Sequence, residues 1–232
     1  MRWITPPSAP ALWPVFDLVL TTDRLELRPV TDSDLDGLVD LAGRGIHDPD
    51  RTPPWASLWT DREGVEFERA FAQYFWAQRA RWTPASWTLP FAVRAEGVLI
   101  GVQQIEAEDF PTLRTVSTSS WLGRAFQGRG LGTEMRGAVL SFAFDALGAE
   151  AAVSSAFDSN PASIRVSEKL GYARNGIRRE NVGGDAVDAT LFLLPRERWA
   201  SDPPVVASVE SLEPCLDLFG VRSRKPRLTT VA

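Results

Sequence analysis

Gln127-Gly128-Arg129-Gly130-Leu131-Gly132-Thr133 lies between a β-branched stretch, Val116–Leu122, and a run in which Met135, Val139, Phe142 and Ala143 recur at helical spacing. Its closely spaced glycines let the backbone curl and approach a ligand with no Cβ in the way. The first N–H groups of the following helix have no partner inside it. With the positive end of the helix dipole they form a cradle for a pyrophosphate. Arg124 and Arg129 add positive charge beside it. A tight turn with no ligand would use the same glycines, so the strand–loop–helix context carries the anion-binding reading. Two other phosphate loops are excluded. A Walker A loop ends in Gly-Lys-Ser/Thr, whereas Gly132 is followed by Thr133-Glu134. A dinucleotide fingerprint is Gly-x-Gly-x-x-Gly after the first strand of a βαβ unit; this loop is Gly-x-Gly-x-Gly and follows hairpin strands.

On the N-terminal side, Leu89–Arg94 and Val98–Ile105 flank Glu96-Gly97 and predict a hairpin. Ala107–Arg114 predicts a polar loop. Strands are expected at Phe16–Leu20 and Leu25–Pro29. Thr31 or Asp32 caps a helix carrying Leu35, Leu38, Val39, Leu41 and Ala42, which ends near Gly43–Gly45. His47–Pro54, HDPDRTPP, predicts a loop, and a second helix opens at Asp61 or Arg62 and runs to about Arg81. On the C-terminal side, a helix from about Thr133 to Leu147 is stopped by Gly148. A strand follows at Ala151–Phe157, then a helix started by Asn160-Pro161 and ended at Leu170-Gly171. Two strands near Arg174–Arg179 and Ala186–Leu194 surround Gly183-Gly184-Asp185, and a short strand is expected at Val205–Val209. This order predicts a mixed α/β (α+β) fold: a mixed sheet with helices on its faces.

The 232 residues suffice for one good-sized core with extensions. No apolar run approaches the roughly 18 residues of a membrane helix, so no membrane is expected. The proline-broken N-terminus lacks the apolar stretch of a secretory signal. Cys215 is the single cysteine, which allows no internal disulfide; a cytoplasmic location is expected. The net charge of −5 argues against nucleic acid as a partner, and the basic cluster Arg222, Arg224, Lys225, Arg227 reads as a solvated tail. Of nine tryptophans, Trp55, Trp59, Trp76, Trp82 and Trp87 crowd one segment, as packing residues or as the wall of a pocket. No metal site is expected.

Gln127-Gly128-Arg129-Gly130-Leu131-Gly132 resembles the Gln/Arg-x-x-Gly-x-Gly/Ala motif of the GNAT acyltransferase superfamily. Asn160-Pro161-Ala162-Ser163, followed by Glu168-Lys169-Leu170-Gly171-Tyr172, is similar to a hallmark of its RimJ/RimL-like branch, as is Thr21–Arg28. His47–Asp50, Asp109-Phe110-Pro111 and Ser120–Gly123 further resemble an actinobacterial subgroup associated with succinyl-coenzyme A. The resemblance implies a mostly antiparallel mixed sheet with a splayed central strand pair. It implies a domain over residues 16–200, with an arm at 1–15, an extension at 201–222 and a flexible tail at 223–232. A homo-oligomer is expected.

The resemblance also implies roles. The strand ending at Leu122 would carry a bulge and splay from Ala151–Phe157, with pantetheine in the cleft. Trp121, Leu122 and Gly123 would hold the acyl end, the Leu122 N–H polarising the thioester carbonyl. The pyrophosphate would lie on Gln127, Gly128, Arg129, Gly130, Leu131, Gly132 and Thr133. Asn160 would bind the pantetheine arm, and Ser163, on the same helical face, would also protonate the leaving thiolate. Where many members have a Tyr acid this chain has Ser167, and where some have a Glu base it has Val116. The base is therefore open among His47, Asp109, Glu106, Glu108 and water. The implied activity is transfer of an acetyl or succinyl group from acetyl-CoA or succinyl-CoA to an amine. A non-catalytic acyl-CoA sensor or assembly module is the alternative reading.

Overall fold

Glu96 and Gly97 both take positive φ, 49° and 77°, so their two-residue turn has the twist that joins adjacent antiparallel strands. It connects β3 (Trp87–Ala95) to β4 (Val98–Ala107), with one register shift at Val93/Arg94. The computed structural model describes residues 12–47 and 64–221. Most of the expected arm, the loop after His47, the start of the second helix, Trp55, Trp59 and the basic tail lie outside the described residues.

β1 (Val19–Thr21) and β2 (Leu25–Pro29) extend the hairpin on one side. The expected strand at Phe16–Leu20 is shortened because Pro14 starts a 3-10 turn through Asp17, and Leu18 N–H donates to Val15. β5 (Thr115–Leu122) lies on the other side of β4. Beyond it come β6 (Ala151–Phe157), β8 (Asp185–Pro195) and β7 (Ala173–Val182). β9 (Ser208–Glu210) pairs with β1, so the sheet order is β7-β8-β6-β5-β4-β3-β2-β1-β9. Every neighbouring pair is antiparallel except β5–β6.

Helices cover both faces. On one lie α1 (Asp32–Gly43), held at its start by the Thr31/Asp34 capping box, and α2 (Gly64–Ala80). Leu35, Leu38, Phe71 and Phe75 pack there on Ala92 and Val102. Burying each large side chain contributes about 1.5–3 kcal/mol. On the other face lie α4 (Leu131–Ser141), extended by a π-helical turn to Ala146, and α5 (Pro161–Lys169). Ala107–Arg114 is not the polar loop expected. Ala107 still belongs to β4, and Phe110–Leu113 forms α3, a single turn in which Phe110 is fully buried.

The C-terminal segment completes the core. After α6 (Arg196–Ser201) and β9, Phe219 is fully buried against Trp82, Trp87 and Phe142. Trp82 Nε1 donates to the Leu218 carbonyl at 2.8 Å. Trp82 and Trp87 are thus packing residues, while the half-exposed Trp76 donates to Asp32. Among the described residues no helix is long and apolar enough to cross a membrane.

Candidate active site

β5 and β6 run together only through Thr115↔Ala151, Val116↔Ala152 and Ser117↔Val153. β5 continues to Leu122 and β6 to Phe157 without further registered pairs, so a V-shaped gap opens in the sheet. The far end of β5 leans instead on β4, where Gly101 faces Leu122. A Cβ at Gly101 would stand 2.2 Å from the Trp121 carbonyl oxygen, so only glycine admits this approach. The β4–β5 register is unbroken from Glu106↔Ser117 to Gly101↔Leu122, which overturns the bulge expected in β5.

Strand parity settles which amides face the gap. Gly123 N–H donates to the Ile100 carbonyl at 3.0 Å, so residues of β5 at odd positions turn their backbone groups to β4. Trp121 and Gly123 are thereby committed to β4. Leu122 and Ser120 turn theirs toward β6, beyond the last registered pair. Of the three residues expected to hold an acyl end, only Leu122 turns its amide into the gap, and Ser120 does so as well.

At the mouth of the gap the loop curls as its glycines require, with φ of 75° at Gly128 and 81° at Gly130. Gly130 caps α4. The amides of Gly128, Arg129, Gly130, Leu131 and Gly132 meet no acceptor among the described residues. The Thr133 amide does not join them, because it donates to the Gly130 carbonyl at 3.1 Å. Gln127 serves as a brace: its Nε2 donates to Ile46 O at 2.7 Å and Leu122 O at 2.8 Å. The Arg124 side chain packs along Gly45. Arg24 instead approaches the cradle, donating to Arg129 O at 3.3 Å and to Glu134. Burial raises the Glu134 pKa, but hydrogen bonds from Thr22 and Arg24 outweigh it and hold the carboxyl below its ordinary value.

α5 starts at the other wall. Asn160 Oδ1 accepts the Ser163 N–H at 3.1 Å. One turn on, Ser167 is buried; its Oγ donates to Ser163 O at 3.1 Å and accepts from the buried Arg136 at 3.0 Å. Tyr172 lies beside Arg136 and Thr118, and burial pushes its pKa up to about 12. Gln103 Oε1, Thr118 Oγ1, Ser154 Oγ, Arg136 Nε and Tyr172 Oη are buried and, apart from the contact between Thr118 and Tyr172, lack a hydrogen-bond partner among the described residues, as do Trp87 Nε1 and Trp199 Nε1 elsewhere in the core. The first five sit on the α4/α5 side of the parted strands, Arg136 on α4 and Tyr172 just after α5. Buried polar atoms are normally satisfied, so this concentration marks where a polar guest is missing its partners.

The opposite face is lined by Trp121, edge-on to Phe71, and by a polar chain. Tyr74 donates to Gln104 Oε1, Gln104 Nε2 donates to Glu106 at 3.2 Å, and Ser117 Oγ donates to Glu106 at 2.6 Å. Glu106 therefore belongs to β4 and not to a solvated turn. His47 follows Ile46, which Gln127 ties to the end of β5, so it stands at the open corner of the gap. Asp109 does not come to this site. It caps α3 before the start of β5, accepting from Thr112 at 3.2 Å, about 23 Å of strand from Leu122.

The helix-start amide cradle opens into the parted strand pair, an arrangement suited to a phosphate-bearing ligand. The family model described as "Acetyltransferase (GNAT) domain" matches residues 24–173, and the chain belongs to that family. Solved structures agree on the fold. Mycobacterium smegmatis RimJ in complex with CoA-disulfide is 18% identical, covering 83% of this chain and 98% of that one, with a TM-score of 0.66. RimL, a ribosomal L7/L12 alpha-N-protein acetyltransferase in complex with coenzyme A, is 17% identical over 76% and 97%, with a TM-score of 0.59. A spermidine N-acetyltransferase SpeG chimera from Vibrio cholerae and hSSAT is 16% identical over 77% and 99%, also at 0.59.

Proposed function

We propose that this chain transfers an acyl group, acetyl or succinyl, from coenzyme A to a primary amine by direct attack. The acceptor is a protein N-terminus, a lysine or a small-molecule amine. The observation that carries this reading is the continuity of the β5–β6 gap with the amide cradle of residues 128–132. Such a groove suits a pyrophosphate followed by an extended amide-bearing arm. The Leu122 N–H acts on the arm and the Ser120 N–H, deeper in the gap, on the thioester carbonyl, where negative charge develops; one such donor is worth about 3 kcal/mol. Asn160 contributes its side-chain amide, and the Ser163 hydroxyl lies on the same wall.

The amine reaches the thioester from the α1/α2 face, between Trp121, Glu106 and His47. Glu106 or His47 takes its proton directly or through water. Asp109 is left out because of its distance. RimL and SpeG, whose names specify a protein N-terminus and a polyamine, support an amine acceptor without choosing between the two. The proposed catalytic unit is residues 16–200, acting in the cytoplasm as a homo-oligomer. Calorimetric titration with acetyl-CoA and succinyl-CoA, followed by thiol release with an amine panel, tests the reading. Micromolar binding with amine-dependent release is expected. Absence of heat at millimolar ligand would refute it, and binding with no turnover on any amine would make the chain a sensor.

A further inference from the structure

Arg136 differs from every other arginine described. It is the buried one, at 5% exposure. Its NH1 donates to Ser167 Oγ and its Nε meets no acceptor. It takes part in none of the ion pairs among the described residues. Burial lowers its pKa, and the neighbouring Tyr172 opposes that only in part. Tyr172 itself, pushed up to about 12, is neutral at pH 7 and is no counter-ion. A guanidinium removed from water with no fixed anion costs stability, and that cost is explained when the anion arrives with the substrate.

The position says which anion. Tyr172 neighbours Thr118, the first β5 residue past the last β5–β6 pair. Arg136, beside Tyr172 and one turn of α4 beyond Gly132, which packs toward Leu122, thus faces the inner part of the gap. The phosphates of a bound carrier belong at the mouth, beyond Leu122, and Thr118 lies about 13 Å from Leu122 along β5. What reaches the inner part is the reacting end. No group on this wall gives up a proton readily at neutral pH: Ser163 and Ser167 are alcohols, and Tyr172 is far from ionising. A leaving sulfur therefore departs there as an anion.

Resting on the transferase reading above, we propose that the Arg136 guanidinium is the counter-ion of the sulfur released when the C–S bond of a bound coenzyme A thioester breaks. The amine nitrogen forms the new C–N bond with its lone pair. The C–S bond breaks with its electron pair on sulfur, giving a thiolate beside the guanidinium. The proton lost from nitrogen passes to the base and then to water, and water later protonates the sulfur, so charge and protons balance. Arg136 is on this account a catalytic residue, held in place by Ser167.

The test uses free coenzyme A bound to the full chain, with thiolate formation followed by its ultraviolet absorbance as pH is raised. An opposite charge at contact distance lowers a pKa by about 1–3 units, so the bound thiol should titrate that far below free coenzyme A measured alongside it. In Arg136→Met it should return to the free value, while Arg136→Lys keeps part of the shift. Ligand-free Arg136→Met should melt no lower than wild type, since it removes a buried charge without orphaning another. An identical thiol titration in wild type and Arg136→Met overturns the proposal. So does succinyl-CoA binding at least tenfold tighter than acetyl-CoA, lost in Arg136→Met with the thiol unmoved, which would assign the guanidinium to an acyl carboxylate. If wild type binds no coenzyme A, the transferase reading falls and this proposal with it; binding with an unshifted thiol sinks the proposal alone.

Discussion

Gly101→Ala is expected to close the gap between β5 and β6. The added Cβ would lie 2.2 Å from the Trp121 carbonyl oxygen and 3.0 Å from Leu122 Cα. Ordinary C···O contacts begin near about 3.3 Å, so the end of β5 has to move by about 1 Å. The obstacle is backbone and cannot swing aside as a side chain could. Because the Trp121 carbonyl points at β4, the strand moves away from β4 and into the gap. Overpacking of this kind costs about 1–3 kcal/mol of stability. A misplacement of about 1 Å in the Ser120 and Leu122 amides lowers turnover by about 100-fold. Urea midpoints measure the first effect; calorimetric coenzyme A affinity and thiol release measure the second. Gly43→Ala is the control, since nothing lies within 4 Å of a Cβ there. Native stability and unchanged affinity in Gly101→Ala would refute the steric account of the parted strands.

Two further substitutions separate structural from binding roles. Asn160→Ala removes the α5 cap and should cost about 1 kcal/mol as well as coenzyme A affinity. Asn160→Asp keeps the cap but loses the amide donors, so denaturation should change little while titration shows weaker binding; unchanged affinity in both would leave Asn160 a cap only. Glu134→Gln should cost about 1.5–3 kcal/mol at neutral pH through its bonds to Thr22 and Arg24. The folded-state pKa of Glu134 is held below its ordinary 4.5, so its contribution is complete above that pH and is lost as pH falls through the depressed value. The wild-type advantage over Glu134→Gln in urea midpoint should therefore shrink below pH 4.5, and a constant advantage would remove Glu134 as the acid-sensitive contact.

The local elements were legible because their signals are local. Leu25–Pro29 and Ala151–Phe157 alternate between turn residues and form strands at those bounds. The expected capping residues Thr31 and Asn160 stand at helix starts, whereas α4 begins two residues before the expected Thr133, with Gly130 as its cap. What was not legible depends on contacts between distant segments. The close approach of β4 to the end of β5 beside the gap needs a clearance at Gly101, a residue on a third strand. Trp121, Leu122 and Gly123 are consecutive, but the ladder lets only alternate amides face the gap, which removes two of them and adds Ser120. Asp109 is near β5 in sequence yet lies at the wrong end of it. Arg136 reads as one more cation on an amphipathic helix; only burial and the missing counter-ion single it out.

Phe219 has a bearing on how the chain is made. The Trp82 indole and the Leu218 carbonyl that it binds are 136 residues apart. A ribosome building the protein from its N-terminus therefore releases Trp82 and Trp87 long before the ring that closes over them exists. Until then their apolar surface is open to water or to a chaperone. Loop closure over such a distance slows folding, and the cover over Trp82 and Trp87 cannot form until residues 215–221 have been made.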